Sequence, residues 1–140
     1  MPISYDETRK IFHLKNNQIS YIMGIEKGKY LVHRYFGPKI HSYHGVNELQ
    51  LIDRGFSTNP DPQDRTFSLN TLPLETSTQG SLDFRIANYQ FRNPKGYRIT
   101  AFEYAGYQIT EEKPKLSGLP SLSGANTQER KSTRLNSSHN

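Results

Sequence analysis

Asp53 is the acid whose surroundings most invite a chemical reading. It lies in the run Ile52-Asp53-Arg54-Gly55-Phe56, with Arg65 further along the same irregular stretch. An ionised aspartate only accepts hydrogen bonds, and it can take two donors at once, such as two hydroxyls or the fork of a guanidinium. On residue types alone, a turn-capping or salt-bridged Asp53 beside Arg54 or Arg65 is the commoner use of such a carboxylate. Arg65 reads equally as a partner that holds this loop and its carboxylate or as a solvated arginine following Asp64. Phe56 and Phe67 have the shape to wall a sugar ring, but aromatic residues in sandwiches are more often core, and core is expected for both.

Other groupings carry less. His33, His41 and His44 lack the spacing and supporting carboxylates of a metal site, so no metal is expected. Asn59, Asp61 and Asp64 imitate a calcium-loop spacing, but the intervening prolines and the missing terminal glutamate break that pattern. Gly-rich phosphate loops and nucleophile-elbow motifs are absent, and no cofactor is expected.

The elements that have to position these residues read as β-strands. Short stretches rich in aromatic and β-branched residues recur between turn signals, the pattern of an all-β antiparallel sandwich. Strands are expected near Lys10 to Leu14, Ser20 to Ile25 and Tyr30 to Phe36, joined by hairpin turns at Asn16-Asn17 and Glu26-Lys27-Gly28. In the third, Tyr30, Val32, Arg34 and Phe36 should share one face and Leu31, His33 and Tyr35 the other. From Gly37 to Leu82 prolines, asparagines and acids predict a long loop, the place to look for function. Leu82 to Phe91 and Tyr97 to Tyr104 predict a hairpin around Asn93-Pro94-Lys95-Gly96, with a further short strand from Tyr107 to Ile109 after Ala105-Gly106.

Composition bounds the function. A chain of 140 residues suits one domain or less, and a hydrophobic content of 33% implies a thin core. The sequence has no cysteine, no apolar run long enough for a membrane span and no secretory pattern at its start, so a cytoplasmic protein is expected that does not bind membranes. The formal charge of +5 is concentrated at the end. Without Arg130, Lys131 and Arg134 it falls to +2, which argues against nucleic acid as a partner.

The stretch from Ile52 through Asp53-Arg54-Gly55-Phe56, Asn59-Pro60-Asp61-Pro62 and Asp64-Arg65 to Leu69 is followed by Asp83-Phe84-Arg85 and Lys113-Pro114-Lys115-Leu116-Ser117-Gly118-Leu119-Pro120. Together with Phe12-His13-Leu14, Ser20-Tyr21 and Gly37, it resembles the amino-terminal domain of family 36 α-galactosidases from about Ile3 to Pro120. Asn70 departs from the family's usual aspartate, and Glu75 to Gly80 departs from a more aromatic version. The resemblance implies part of an amino-terminal β-sandwich over residues 1–129, with a catalytic (β/α)₈ barrel beyond this chain. It implies a retaining enzyme acting on terminal α-D-galactosyl groups of melibiose, raffinose and related sugars. Retention uses two carboxyl groups about 5–5.5 Å apart; in the family both lie on barrel strands, so no residue here is assigned a catalytic role and the chain alone is expected to be inactive. It further implies that Asp53, with Arg65 in support, binds a galactose hydroxyl, and that the parent is a homotetramer in which this loop reaches a neighbouring copy.

The ending Arg130 to His139 resembles the translation of a common sequencing adapter, which implies a non-native tail over residues 130–140 that carries no fold; a disordered basic tail is the other reading. A rival function is a stand-alone carbohydrate-binding β-sandwich using exposed aromatics among Tyr30, Tyr35, Tyr43 and Tyr104. Part of a sandwich exposes strand edges and an apolar face, so the isolated chain is expected to be poorly soluble. A sharp, cooperative melt of monomeric residues 1–129 would overturn that expectation.

Overall fold

The amino-terminal third alternates short apolar strands with turns whose side chains close them. In chain order the strands are β1 (Ile3–Asp6), β2 (Ile11–Lys15), β3 (Ile19–Glu26), β4 (Tyr30–Pro38), β5 (Phe102–Thr110) and β6 (Glu129–Asn136). The computed structural model describes residues 3–44, 49, 51–80, 82–111, 117–120 and the backbone of 129–136. The Lys113-to-Leu116 part of the later motif and the tail past Asn136 lie outside the described residues.

Strands β1 to β4 form an antiparallel meander in sequence order, and β5 pairs with β6 in a second, two-stranded sheet. Among the described residues there is no helix. At the β2–β3 turn, Asn16 Oδ1 accepts from the Gln18 and Ile19 amides. At the β3–β4 turn, Lys27 and Gly28 both take positive φ, as mirror-image hairpin turns require, and the Lys29 amide closes on the Glu26 carbonyl at 2.9 Å.

One face of the meander buries Phe12, Met23, Ile25 and Leu31, and Tyr5, Leu14, Tyr21 and Tyr104 pack around them. Strand β5 lies across this face, with Tyr107 stacked 5.0 Å from Phe12 and 4.6 Å from Tyr5. Those contacts make the two layers of the sandwich. The opposite face buries Ile11, His13, Ser20, Ile22 and Val32. The segment after β4 crosses it: the Lys39 amide donates to the Gln18 carbonyl, the Ile40 amide to Ser20 Oγ, and Arg9 to the Tyr43 carbonyl.

Several expectations change. Phe36 and Tyr35 swap faces relative to simple alternation, because the β3–β4 register shifts between Ile22 and Met23 and Arg34 becomes an extra, bulged residue. Phe36 thus opposes Tyr21, beside His33, and the Arg34 guanidinium reaches the Glu26 carboxylate over Gly24. The hairpin expected over 82–104 does not form. Its turn exists, with the Asn93 amide on the Tyr97 carbonyl at 2.9 Å, but the described residues of the two flanks do not pair with each other, and the second flank joins β5 from Phe102 on, which pairs with β6. Tyr89, Phe91 and Phe102 instead pack ring on ring at 5.1–6.0 Å, so the aromatic spacing that imitates strands serves a small cluster. Ala105-Gly106 does not end a strand but forms a bulge inside β5. The expectation that residues 130–140 carry no fold also needs correction: the backbone of 129–136 pairs with β5 from Thr110 to Phe102. An open strand edge offers backbone donors and acceptors that any extended segment can meet, whatever its side chains.

The long segment after β4 is braced from within. Asp83, its side chain fully buried, takes a two-point contact from Arg85, Nε on Oδ1 at 2.9 Å and Nη2 on Oδ2 at 3.2 Å. The same guanidinium donates to the carbonyls of Leu72 at 2.6 Å and Leu69 at 2.8 Å, which pins the second core cluster of Phe67, Leu69 and Leu72. Burial holds the His13 ring below its ordinary pKa of 6.5, with Lys15 adding to the effect, while its Nε2 meets Ser20 Oγ at 2.9 Å.

Two predictions follow from this packing. Arg85→Met leaves Asp83 buried and unpaired and two carbonyls without donors; it should cost about 3 kcal/mol in a urea titration, and a cost under about 1 kcal/mol would show the brace to be dispensable. A lowered folded pKa means the unfolded chain binds the extra proton first, so stability should fall as pH drops below 6.5. In His13→Gln that part of the slope should vanish, and an unchanged pH profile of melting would rule His13 out as its source.

Candidate functional site

The loop carrying Asp53 has no strand of its own, so its shape comes from side chains bonding to backbone. Asn59 is the hub. Its Oδ1 accepts from Ser57 Oγ at 2.9 Å, and its Nδ2 donates to the carbonyls of Arg65 at 2.5 Å and Phe67 at 3.2 Å, with the Asp64 carbonyl at 3.4 Å. Asp61 caps the Gln63 amide, and Asp64 caps both the amide and the hydroxyl of Thr66. These short turns fold residues 59–67 back on themselves.

Within that frame Arg65 meets Asp53. Arg65 Nε lies 3.3 Å from Asp53 Oδ1 and 3.2 Å from Oδ2, and both side chains are more than half exposed. The structure therefore brings together the two residues singled out from the sequence, as an open ion pair that leaves the carboxylate accessible. Ile52 and Phe56 on either side are exposed, and Phe56 has φ of +61°. The expectation of a core role holds for Phe67, 1% exposed, and fails for Phe56, which is fully exposed on the loop.

The remaining candidates find other uses. Lys27 places Nζ 2.6 Å from Asp61 Oδ2 and 2.8 Å from Asp64 Oδ2, and 4.8 Å from the centre of the Phe67 ring. The calcium-like spacing of these two acids thus seats an ammonium. The Lys27 hydrogen bond is the main reason that the Asp64 carboxyl is pulled down to about 2 and that Asp61 is also lowered. Sequence reasoning missed Lys27 and Asn59, since one read only as a turn residue and the other only as part of a false metal loop. His33 Nδ1 lies 3.3 Å from Glu75, which also accepts from Tyr21, while His44 Nε2 pairs with Ser42. Among the described residues no three metal-ligating side chains cluster.

The aromatics of the rival binding reading are largely in use elsewhere. Tyr30 packs on Phe67, Tyr104 on Phe12, and the Tyr35 hydroxyl donates to the Pro38 carbonyl. Asn70, the departure noted above, donates to Thr58 Oγ at 3.2 Å and accepts from the Phe84 amide at 3.0 Å.

Comparison with known proteins points one way. Residues 29–138 match the glycosyl hydrolase family 36 N-terminal domain. The chain is 44% identical over 119 residues to α-galactosidase 1 of Pediococcus pentosaceus, covering 84% of this chain and 16% of that protein. The galactosidase domain of the α-galactosidase–sucrose kinase AgaSK superposes with a TM-score of 0.85 at 33% identity, over 94% of this chain and 19% of that one. A variant of the family 36 α-galactosidase AgaA from Geobacillus stearothermophilus, solved in complex with raffinose, superposes with a TM-score of 0.72 at 41% identity, over 80% of this chain and 16% of that one. This chain therefore spans about a sixth of the length of the curated relatives it matches. On the matched residues, the sheet order and the shared sandwich layer, the chain belongs to glycoside hydrolase family 36, within that family's N-terminal domain.

Proposed function

We propose that this chain is the amino-terminal part of a cytoplasmic α-galactosidase that releases terminal α-D-galactosyl residues from melibiose, raffinose and related galactosides with retention of configuration. Its own contribution is a substrate-binding loop and contacts between copies of a homotetramer; the catalytic carboxyl pair belongs elsewhere in the parent. The observation that carries the reading is the Asp53 carboxylate, oriented by Arg65 yet open to solvent on a side-chain-braced loop. Such a group is suited to accept two hydroxyls of a sugar presented from outside the domain. The exposed Ile52 and Phe56, next to it in the chain, support a second surface that closes over the site, since uncovered apolar side chains of this size favour burial against a partner. The raffinose complex of the relative supports an α-galactoside as the class of ligand.

The test is a chimera in which this chain replaces the matching segment of AgaA. Asp53→Ala in that chimera should lower kcat/KM for raffinose about 10- to 100-fold, the worth of hydrogen bonds to a charged acceptor. Unchanged kcat/KM would sink the assignment of Asp53. The chain by itself should release no galactose.

A further inference from the structure

We infer that Lys27, on the turn between β3 and β4, is the positioning residue for the loop that carries Asp53 and Arg65. The inference rests on the sugar-binding reading of Asp53. Lys27 is a point at which the meander grips that loop: its ammonium takes one carboxylate oxygen of Asp61 and one of Asp64 and lies over the ring of Phe67, which is buried in the second core cluster. Asp64 is covalently next to Arg65, and the Arg65 carbonyl is held in turn by Asn59. The path from the sheet to the Asp53 carboxylate is therefore short: Lys27 to Asp64, Asp64 to Arg65, and Arg65 Nε to both Asp53 oxygens.

The backbone of Lys27 supplies an independent argument. Its φ of +46° lies in the left-handed region, where a turn of this kind selects Gly, Asn or Asp. A lysine there is strained, and its neighbour Gly28 takes the same region with no side chain to clash. Residues held in such conformations persist where the surroundings fix them and tend to mark function. At Lys27 the surroundings that fix it are the two acids and the Phe67 ring. The place between Asp61 and Asp64 that a divalent cation would take is already filled by Nζ, which ties the loop to the fold through the chain itself.

The experiment uses the AgaA chimera with Lys27→Met, Lys27→Gly and Lys27→Arg, read by KM and kcat for raffinose and by amide hydrogen exchange at Asp64, Thr66 and Phe67, whose amides bond within the gripped turn. Lys27→Met and Lys27→Gly should raise KM about fivefold with kcat within about twofold, the scale expected of partly exposed ion pairs. The three amides should exchange faster by a similar factor. Lys27→Gly relieves the left-handed strain, so its melting temperature should hold or rise while KM still rises; loss of stability cannot then explain the effect. Lys27→Arg should keep most of the wild-type KM. The inference is overturned if Lys27→Gly leaves KM unchanged while Asp53→Ala raises it, or if the exchange rates do not move. A silent Asp53→Ala would instead remove the sugar-binding reading and with it the site that Lys27 positions, leaving the exchange data to decide whether Lys27 holds the loop at all.

Discussion

The structure depends on how a long irregular segment meets the hydrogen-bonding demand of its own backbone. Among the described residues between β4 and β5 there is no regular strand, yet this segment carries the second core cluster and the candidate site. Unmet buried amides and carbonyls are costly, so the segment borrows a ladder where it can and makes one from side chains elsewhere. The borrowed part is the free edge of β4: Val32 bridges Leu74, the His33 amide donates to the Pro73 carbonyl and the Glu75 amide to the Leu31 carbonyl. This also covers an edge that would otherwise invite pairing with another chain. Away from that edge, the loop that carries Asp53 is held by side-chain bonds together with a few backbone turns, among them Asp64 to Asp61 and Phe67 to Asp64.

The legibility of each region in the sequence follows from that division. Strands β2, β3 and β4 were readable because period-two alternation and turn residues both mark them. Strand β1, only Ile3 to Asp6, went unread because four residues give alternation too little room to show. The bulge at Arg34 was invisible, since one inserted residue leaves local composition unchanged while moving Tyr35 and Phe36 to opposite faces. The false hairpin has the opposite cause. Tyr89 and Phe91 have strand-like spacing, but their rings pack on each other and on Phe102, whose own ladder runs to β6.

At the site, residue types were legible and partners were not. Asp53 was singled out by the resemblance and Arg65 as one of its possible partners, and they do meet. Nothing in the spacing could show that the cation for Asp61 and Asp64 comes from a hairpin turn far earlier in the chain. Phe56 and Phe67 look alike in sequence, yet Phe67 is buried with Leu69 and Leu72 and Phe56 projects outward.

The choice between aspartate and asparagine along the loop follows the same hydrogen-bonding demand. Between residues 59 and 85, where the partners are donors the chain uses a carboxylate: Asp61 receives Gln63 and Lys27, Asp64 receives Thr66 and Lys27, and Asp83 receives Arg85. Wherever a carbonyl or hydroxyl oxygen needs a proton, it uses an amide. Asn59 donates to backbone carbonyls, which an ionised aspartate would repel. Asn70 is the sharper case. The single proton of the Thr58 hydroxyl is committed to the Leu82 carbonyl at 2.7 Å, so Thr58 Oγ can only accept, and residue 70 has to donate to it while still accepting from the Phe84 amide. An amide does both; a carboxylate does one and places its charge against an oxygen lone pair. The departure at Asn70 is thus a local consequence of Thr58, and it leaves the brace around the Asp53 loop intact.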